Sequence, residues 1–314
     1  EFKNPVFENN ELEKLKTRLI GQIEQSREDT KKQAHILFTQ KIYPENHLNY
    51  QFEIDETIDF INSITKDDLI SFHNKAYGLG SMNIAVAGDV DDRLFNDQIN
   101  KAFNNCSSQN LSQIEKTLKA NESIPIDESL NIKDKTSADI YIGQSIRIDE
   151  EHEDYYALMM GVYILGGNFS ARLMQTVRDE QGLTYGIGSS ISGLKFGLDG
   201  YWTTWGTFAP QLIDKGKEAT LEQIQIWYNN GITKDELEAK KSTITGTFKV
   251  SLDTTGGLVS QILSNVERSK EIKRLDQYPD IINNLKLDQV NNAIVKYIDP
   301  KKLTIVTAGS FNNK

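Results

Sequence analysis

The chain has 314 residues, a net charge of −10, 38% hydrophobic residues and 25% charged residues. This length predicts two domains of ordinary size, each able to bury a core. The acidic balance argues against a nucleic-acid-binding protein, which needs clustered lysine and arginine. No apolar run approaches the ~18 residues of a membrane span, and the single cysteine, Cys106, allows no internal disulfide.

Two stretches of the sequence recur about 220 residues further along the chain. Residues 11–37 resemble residues 236–262, with a glycine and a threonine at matching positions. Residues 64–90 resemble residues 285–311, and both patterns predict an amphipathic helix, a break and a β-branched strand that ends in Ala-Gly. The spacing therefore predicts two copies of one domain.

The repeat sets the expected domain boundaries. Residues 1–106 form the C-terminal part of a first copy, residues 107–124 a polar linker, and residues 125–314 a complete second copy. The first copy lacks its N-terminal half, so the predicted strand at 82–88 has no neighbouring strand in its own copy. We expect this copy to be unstable alone unless another chain or an N-terminal segment covers it.

The second copy has a readable order of elements. A capping box, Thr233 with Glu236, marks the start of its last long helix, and Ser170 is the expected N-cap of a short helix. Strands are predicted at 137–146, 184–192 and 198–208, and helices at 154–165, 170–181, 210–230 and from Lys234 onward. The order predicts an α+β fold, an antiparallel sheet with helices on one face.

The segment at 165–190 contains the residues suited to chemistry. A Gly-Gly break precedes a short helix that carries Arg178 in its last turn, Gly182 fits the helix C′ position, and Tyr185 opens the next strand. Arginine offers a rigid fork of donors for peptide carbonyls, and tyrosine a neutral donor for a developing oxyanion. The alternative is purely structural, a charge at a helix end and a half-buried aromatic ring.

This segment resembles the C-terminal half of pitrilysin/insulinase-type zinc peptidases. The resemblance rests on Gly-Gly, Ser-x-Arg-Leu, and an arginine followed seven residues later by a tyrosine, and it extends over nearly the whole chain. It implies that Arg178 binds substrate carbonyls and that Tyr185 stabilises the tetrahedral intermediate. It also implies that Gly166, Gly167 and Asn168 belong to the substrate-binding surface.

The family's zinc ligands, His-x-x-Glu-His and a distant glutamate, have no match in the sequence. The four histidines, at positions 35, 47, 73 and 152, do not have that spacing. The resemblance places the uncharged Gln22 where the distant glutamate should be, unless the alignment is displaced and the parent protein is complete. We expect the chain alone to bind no catalytic zinc, the metal being supplied in the assembled enzyme by a partner chain or an N-terminal segment.

Two functions follow from these patterns. The first is the substrate-binding half of a zinc-dependent endopeptidase, a heterodimer or a longer chain that cleaves peptides or unfolded polypeptides in a clamshell chamber. The second is a non-catalytic homologue that serves as a scaffold or assembly subunit. An intact His-x-x-Glu-His motif in a neighbouring gene would favour the first. Bacterial members of the family are often exported, so the resemblance favours the periplasm.

The strand at 198–208 is rich in aromatic residues. Alternation along a strand places Trp202 and Phe208 on one face and Tyr201 and Trp205 on the other. We expect most of these rings to lie in the core and a minority to line a peptide-binding chamber.

Overall fold

The computed structural model describes residues 2–104, 106 and 119–311. The chain forms two compact units, and both predicted copies contribute segments to each. Unit one comprises residues 1–21, 58–114 and 243–283, and unit two comprises residues 22–57, 115–242 and 284–314. Most of the predicted linker, residues 107–118, lies outside the described residues. The domain boundaries at 106 and 125 stay a prediction.

The helices predicted at 154–165, 210–230 and from Lys234 are confirmed, whereas the helix predicted at 170–181 is mostly π-helical. The long helix predicted from 210 begins with a 3₁₀ turn at its proline, and the helix predicted from Lys234 starts there. The described helices are α1 (Asn9–Gln25), α2 (Thr30–Ile42), α3 (Ile54–Ser63), α4 (Lys66–Ala76), α5 (Asp92–Phe103), α6 (Tyr155–Gly166), α7 (Ile213–Asn230), α8 (Lys234–Leu252), α9 (Thr255–Glu267), α10 (Arg274–Asn283) and α11 (Leu287–Tyr297).

Unit two is built on one five-stranded sheet. Its strands lie in the order β1-β5-β2-β4-β3 and are β1 (Ile126–Asn131), β2 (Ala138–Ser145), β3 (Thr184–Ser192), β4 (Tyr201–Phe208) and β5 (Thr304–Gly309). β1 runs parallel to β5, and the other pairs are antiparallel. The fold is α+β with a mixed sheet, so the prediction of an antiparallel sheet was wrong. The cause is β1, a mostly polar strand that the sequence pattern did not reveal.

Helices cover both faces of this sheet. α2 packs against β2 and β5 on one face, while α6 packs against β3 and α11 on the other. The α6 face also holds Trp227 of α7, whose ring stacks on Trp202 at 5.9 Å between centroids. β2 is consequently buried along its whole length. The expectation of helices on one face failed because α2, from the predicted first copy, covers the second face.

Unit one contains the predicted strand at 82–88, and this prediction was wrong. Residues 82–88 have no regular secondary structure, and Ile84 and Val86 are each 46% exposed. The five strands that the structure describes all lie in unit two. A strand needs a hydrogen-bonding neighbour, and the described part of unit one offers none.

Other elements recur at the spacing of the sequence repeat. α4 and α11 match end to end at a constant offset, and the 3₁₀ turns Leu79–Ser81 and Pro300–Lys302 match at the same offset. α2 and α9 begin at matching positions and have equal length. They differ in burial, because α2 has buried side chains along its length whereas α9 has none.

Candidate functional site

Arg178 lies on an uncommon backbone. Residues Met174–Glu180 form a π-helical segment, a conformation that is rare and frequent at functional sites. Gly182 follows the segment, and its positive φ of 63° is easy for glycine and strained for other residues. The Gly182 N–H donates to the Arg178 carbonyl at 3.0 Å. The prediction that Gly182 follows the helix end is confirmed.

Tyr185 lies in a β-bulge at the start of β3. Thr184 is opposite Phe208 and Gly186 is opposite Thr207, so Tyr185 has no partner on β4. The Thr184 hydroxyl stabilises the bulge by donating to the Thr207 carbonyl and accepting from the Gly186 N–H. Bulges re-aim side chains and are common beside active sites. Tyr185 is 91% exposed as a result, so its interpretation as a half-buried packing residue was wrong.

The two residues meet directly. Arg178 Nε donates to the Tyr185 carbonyl oxygen at 3.0 Å, and the guanidinium carbon lies 5.9 Å from the centre of the tyrosine ring. Arg178 Nη1 donates to Asp179 at 3.0 Å, while Nη2 has no partner among the described residues. The arrangement leaves a tyrosine hydroxyl in solvent beside a guanidinium with unused donors.

The Gly166, Gly167 and Asn168 loop is explained mainly by packing. A Cβ at Gly166 would lie 2.4 Å from the Ser189 nitrogen, so glycine lets α6 approach β3. Asn168 Oδ1 accepts hydrogen bonds from the Ser170 N–H at 3.1 Å and from Lys240 Nζ at 3.1 Å. Its amide nitrogen donates to the hydroxyl of Tyr163. The substrate-binding role of this loop stays a prediction.

The expected N-cap at Ser170 was wrong. The Ser170 hydroxyl donates to Asn168 Oδ1 at 3.1 Å, so Asn168 is the residue that accepts hydrogen bonds at this turn. Lys240 reinforces the turn with bonds to the Ser170 hydroxyl at 2.6 Å and to its carbonyl at 2.9 Å. Burial lowers the pKa of Lys240, and the nearby Glu236 carboxylate opposes this effect.

Arg172, in the Ser-x-Arg-Leu motif, ties the segment to α8. Its Nε and Nη2 donate to the two oxygens of Glu236 at 2.6 and 2.7 Å. Glu236 also accepts from the Thr233 N–H, while its own N–H donates to the Thr233 hydroxyl, which confirms the capping box. Burial raises the pKa of Glu236, but the hydrogen bonds from Arg172 and Thr233 lower it overall. The ion pair therefore fixes the loop that precedes Arg178.

One exposed aromatic residue near the site was missed by sequence reasoning. Phe169 follows Asn168 directly and is 81% exposed. Its signal in the sequence is a large apolar residue placed immediately after a Gly-Gly-Asn turn, where a polar residue is usual. Together with Tyr185 it gives the segment two solvent-facing rings.

The residues that the structure describes do not fit a zinc site. Within residues 2–104, 106 and 119–311, no group of three or more His, Cys, Asp or Glu could hold a metal ion. His47 is buried against Asp199 at 3.2 Å, His35 faces the Tyr201 hydroxyl at 3.0 Å, and His73 bonds to the Phe2 backbone. Gln22 lies exposed on α1. No helix in the described ranges is long and apolar enough to cross a membrane.

Comparison with known proteins identifies a peptidase family. Residues 63–244 match the family model described as the peptidase M16 inactive domain. A Bacillus subtilis protein named "Uncharacterized zinc protease YmxG" is 26% identical, with 92% of this chain and 68% of that protein aligned. The Helicobacter pylori "Non-peptidase homolog YmxG" is 24% identical over 96% of this chain and 68% of its own length.

A solved structure gives the same fold. The peptidase M16 inactive domain from Pseudomonas fluorescens superimposes with a TM-score of 0.84 and 23% identity, over 100% of this chain and 73% of that one. The family-model match over residues 63–244 confirms the peptidase family that the Arg178 and Tyr185 segment led us to expect. The chain belongs to the peptidase M16 inactive domain family.

Proposed function

We propose that the chain is the substrate-holding half of a zinc-dependent endopeptidase that cleaves peptides or unfolded polypeptides. The observation that carries this proposal is the placement of Tyr185, 91% exposed on a bulge and held beside Arg178. The bulge leaves Tyr185 without a partner on β4, and the exposed ring adds nothing to the hydrophobic core. This placement favours a role in binding or catalysis over a role in stability. Zinc comes from a homologous partner chain or from an N-terminal segment, because the described residues offer no ligand set.

The two side chains take separate roles in this proposal. The Tyr185 hydroxyl donates to the substrate oxygen as it gains negative charge, an interaction stronger in the transition state than in the ground state. Arg178 keeps Nε on the Tyr185 carbonyl and presents Nη2 to a carbonyl of the bound peptide. Arg178 thus both positions the tyrosine backbone and binds substrate.

The repeat belongs to the same proposal. We infer two copies of one α+β domain, and the matching bounds of α4 with α11 and of α2 with α9 support this organisation. A clamshell chamber requires a second pair of such copies facing this one, which is why an assembly is proposed and not a lone chain.

The test is steady-state peptide cleavage by this chain assembled with a zinc-bearing homologue. Tyr185→Phe keeps the ring and should lower kcat by about 10²–10³-fold. Arg178→Ala should also raise KM, because a substrate contact is lost. Tyr228→Phe on α7 and Arg93→Ala on α5 are the matched controls and should leave both constants unchanged. Turnover of Tyr185→Phe within a few-fold of the parent would remove the oxyanion role.

A non-catalytic scaffold is the second candidate. It is favoured by Gln22, where the family resemblance expects a glutamate, and the H. pylori relative is itself named a non-peptidase homologue. Under this alternative, no zinc-bearing partner restores cleavage, and Tyr185→Phe changes neither assembly nor stability. Cleavage that appears on assembly and depends on Tyr185 would decide for the enzyme.

A further inference from the structure

A cavity of about 350 Å³ opens in unit two on the sheet face that α2 covers. α2 packs over β2 and β5, and the cavity lies beside it over β3 and β4. Its floor is made of cross-strand pairs, Ser190 opposite Thr203 and Ser192 opposite Tyr201. The site is separate from Arg178 and Tyr185 but is built on the same strand as Tyr185.

The lining residues that β3 contributes to this floor are small, Ser190 and Ser192. Trp205, which closes one end of the cavity, is paired with Gly188 on β3. A Cβ at Gly188 would lie 3.1 Å from the indole of Trp205, so the absence of a side chain lets this ring pack closely on β3. Tyr201 and Trp205 share this face, as alternation predicted, while Trp202 and Phe208 are buried on the other. The cavity is therefore lined by two aromatic rings and a set of hydroxyls.

The wall contributed by α2 is cationic. Lys31 and His35 are four residues apart and share a helix face. Lys31 Nζ lies 3.8 Å above the centre of the Trp205 ring and forms no salt bridge among the described residues. Lys32 Nζ bonds only to the side-chain oxygen of Gln51, at 3.2 Å. The one acidic lining residue, Asp29, has Oδ1 engaged by the Lys32 N–H as the helix cap.

His35 lines the cavity without adding charge, and both of its ring nitrogens are engaged. The Gln51 amide nitrogen, a donor only, lies 3.0 Å from Nδ1, so the ring proton is on Nε2 and points to the Tyr201 hydroxyl at 3.0 Å. Burial and the two neighbouring lysines lower the pKa of His35. The Tyr201 hydroxyl accepts from His35 and also interacts with the Ser192 side chain on the floor of the cavity. Two lysines and several hydroxyl groups thus line one cavity in a chain of net charge −10.

We propose that this cavity binds a carboxylate of the peptide whose scissile bond lies at Tyr185. β3 pairs only with β4 in the described residues, so its outer edge is open to an added strand. An extended peptide along β3 rises about 3.3 Å per residue, so it covers the distance from Tyr185 to Ser190 or Ser192 in roughly five to seven residues. The inference rests on the proposed function, and it names the substrate class, peptides with an anionic group at that distance.

The test is fluorescence anisotropy with the full chain and an uncharged ten-residue peptide bearing a neutral fluorophore at its N-terminus. Three forms are compared, with a terminal carboxylate, with a terminal amide, and with an amide after a final glutamate. Charge-assisted hydrogen bonds should make at least one anionic form bind about tenfold tighter than the neutral amide. The anionic peptide that binds more tightly shows whether the main-chain or the side-chain carboxylate is recognised.

Matched variants locate the effect. Lys31→Gln should abolish the preference for the anionic form, while Lys215→Gln, an exposed lysine on α7, should preserve it. Equal binding of the three peptides, or the same loss in both lysine variants, would overturn the proposal. Inorganic phosphate at millimolar concentration should displace the anionic peptide only weakly; full displacement with no carboxylate preference would show a phosphate site instead.

The two proposals fail independently in this design. Tyr185→Phe should leave the carboxylate preference intact, because Tyr185 lies outside the cavity. If Tyr185→Phe also cleaves normally in the assembled enzyme, the catalytic proposal alone is lost. If the preference is absent while Tyr185→Phe is inactive, only the carboxylate site is lost.

Discussion

Residues 64–90 and 285–311 share one sequence pattern, and the structure treats them differently. Their helices and 3₁₀ turns match residue by residue. The strand that follows forms only in the second, where β5 bonds to β1 on one side and to β2 on the other. In the first, residues 82–88 have no strand partner in the described chain. Local sequence is sufficient for the helix and turn, and the strand needs its neighbours.

α2 and α9, which begin at matching positions in the other pair of repeated stretches, show the same contrast. α2 buries Ala34, Phe38 and Ile42 in a core with Tyr141 and Val306 of the unit-two sheet. α9, its counterpart in the repeat, has no buried residue and belongs to unit one. α9 therefore remains partly exposed, because the described part of unit one has no sheet for it to cover.

The largest expected effect separates two equivalent alanines. Ala308 in β5 is fully buried and matches Ala87 in the unpaired segment, which is only partly buried. Ala308→Asp buries an unpaired charge and should cost roughly 3–5 kcal/mol or more, enough to unfold unit two. Ala87→Asp should cost under about 0.5 kcal/mol. All three tryptophans lie in unit two, so urea unfolding followed by tryptophan fluorescence measures this difference.

A similar cost in both variants would show that 82–88 is covered in solution, for example by a second copy of the chain. Sedimentation velocity on the parent would then reveal the association. Ala87→Ser serves as a mild control in the same segment.

A second pair compares the helices. Phe38 is completely buried on α2 and its counterpart on α9 is Leu263, which is partly buried. Phe38→Ala should lose about 3–5 kcal/mol of unfolding free energy, and Leu263→Ala about 1 kcal/mol. Thermal melts by circular dichroism, read alongside tryptophan fluorescence, provide both values. A loss at Leu263 as large as at Phe38 would contradict the contrast between the helices.

A third pair compares two glutamates at matching positions. Glu236 is held by Arg172 and caps α8, with 27% of its side chain exposed, while Glu11 pairs with Lys14 and is 66% exposed. Glu236→Gln should cost about 2 kcal/mol because the partly buried Arg172 loses its countercharge. Glu11→Gln should cost under about 0.5 kcal/mol. Urea titration of both variants tests this, and equal losses would refute the ranking.

The smallest expected effect is the pH dependence of the contribution that Glu236 makes to the free energy of unfolding. The pKa of Glu236 is lowered in the folded chain, so its contribution is complete above its ordinary value of 4.5 and is lost as pH falls through the folded pKa. The stability gap between the parent and Glu236→Gln should therefore be constant near pH 7 and shrink below about pH 4.5. Urea midpoints from pH 7 down to pH 3 test the sign. A gap that widens on acidification would contradict it.

Sequence reasoning succeeded where the signal was local. The strand bounds at 184–192, the helix start at Lys234 and the glycine turn at 182 follow from propensity, capping and backbone preference. It failed at β1, whose Asp127, Ser129 and Asn131 face solvent and whose partner β5 lies far along the chain. That pairing is decided by tertiary contacts that no local window contains.

The candidate site shows the same division. Arg178 and Tyr185 were identified from their motif, but the π-helical segment and the bulge that present them were not. Both are departures from regular backbone geometry, and they depend on hydrogen bonds such as Thr184 to Thr207 across the sheet. The cavity was not predicted, although alternation along the strand correctly placed Tyr201 and Trp205 on one face of β4. Its cationic wall comes from α2, which lies far from β4 in the sequence, so no pattern within β4 could reveal it.

The position of β5 between β1 and β2 has a consequence for biosynthesis. While the ribosome is still making residues before 304, β1 and β2 have no strand between them, and the gap equals one strand, about 4.8 Å on each side. The nascent sheet must wait, with two unsatisfied edges, for a segment made long after its neighbours. Such long-range closure is intrinsically slow and exposes aggregation-prone edges. We expect unit two to fold late, after residues 304–309 have left the exit tunnel, and to depend on chaperones until then.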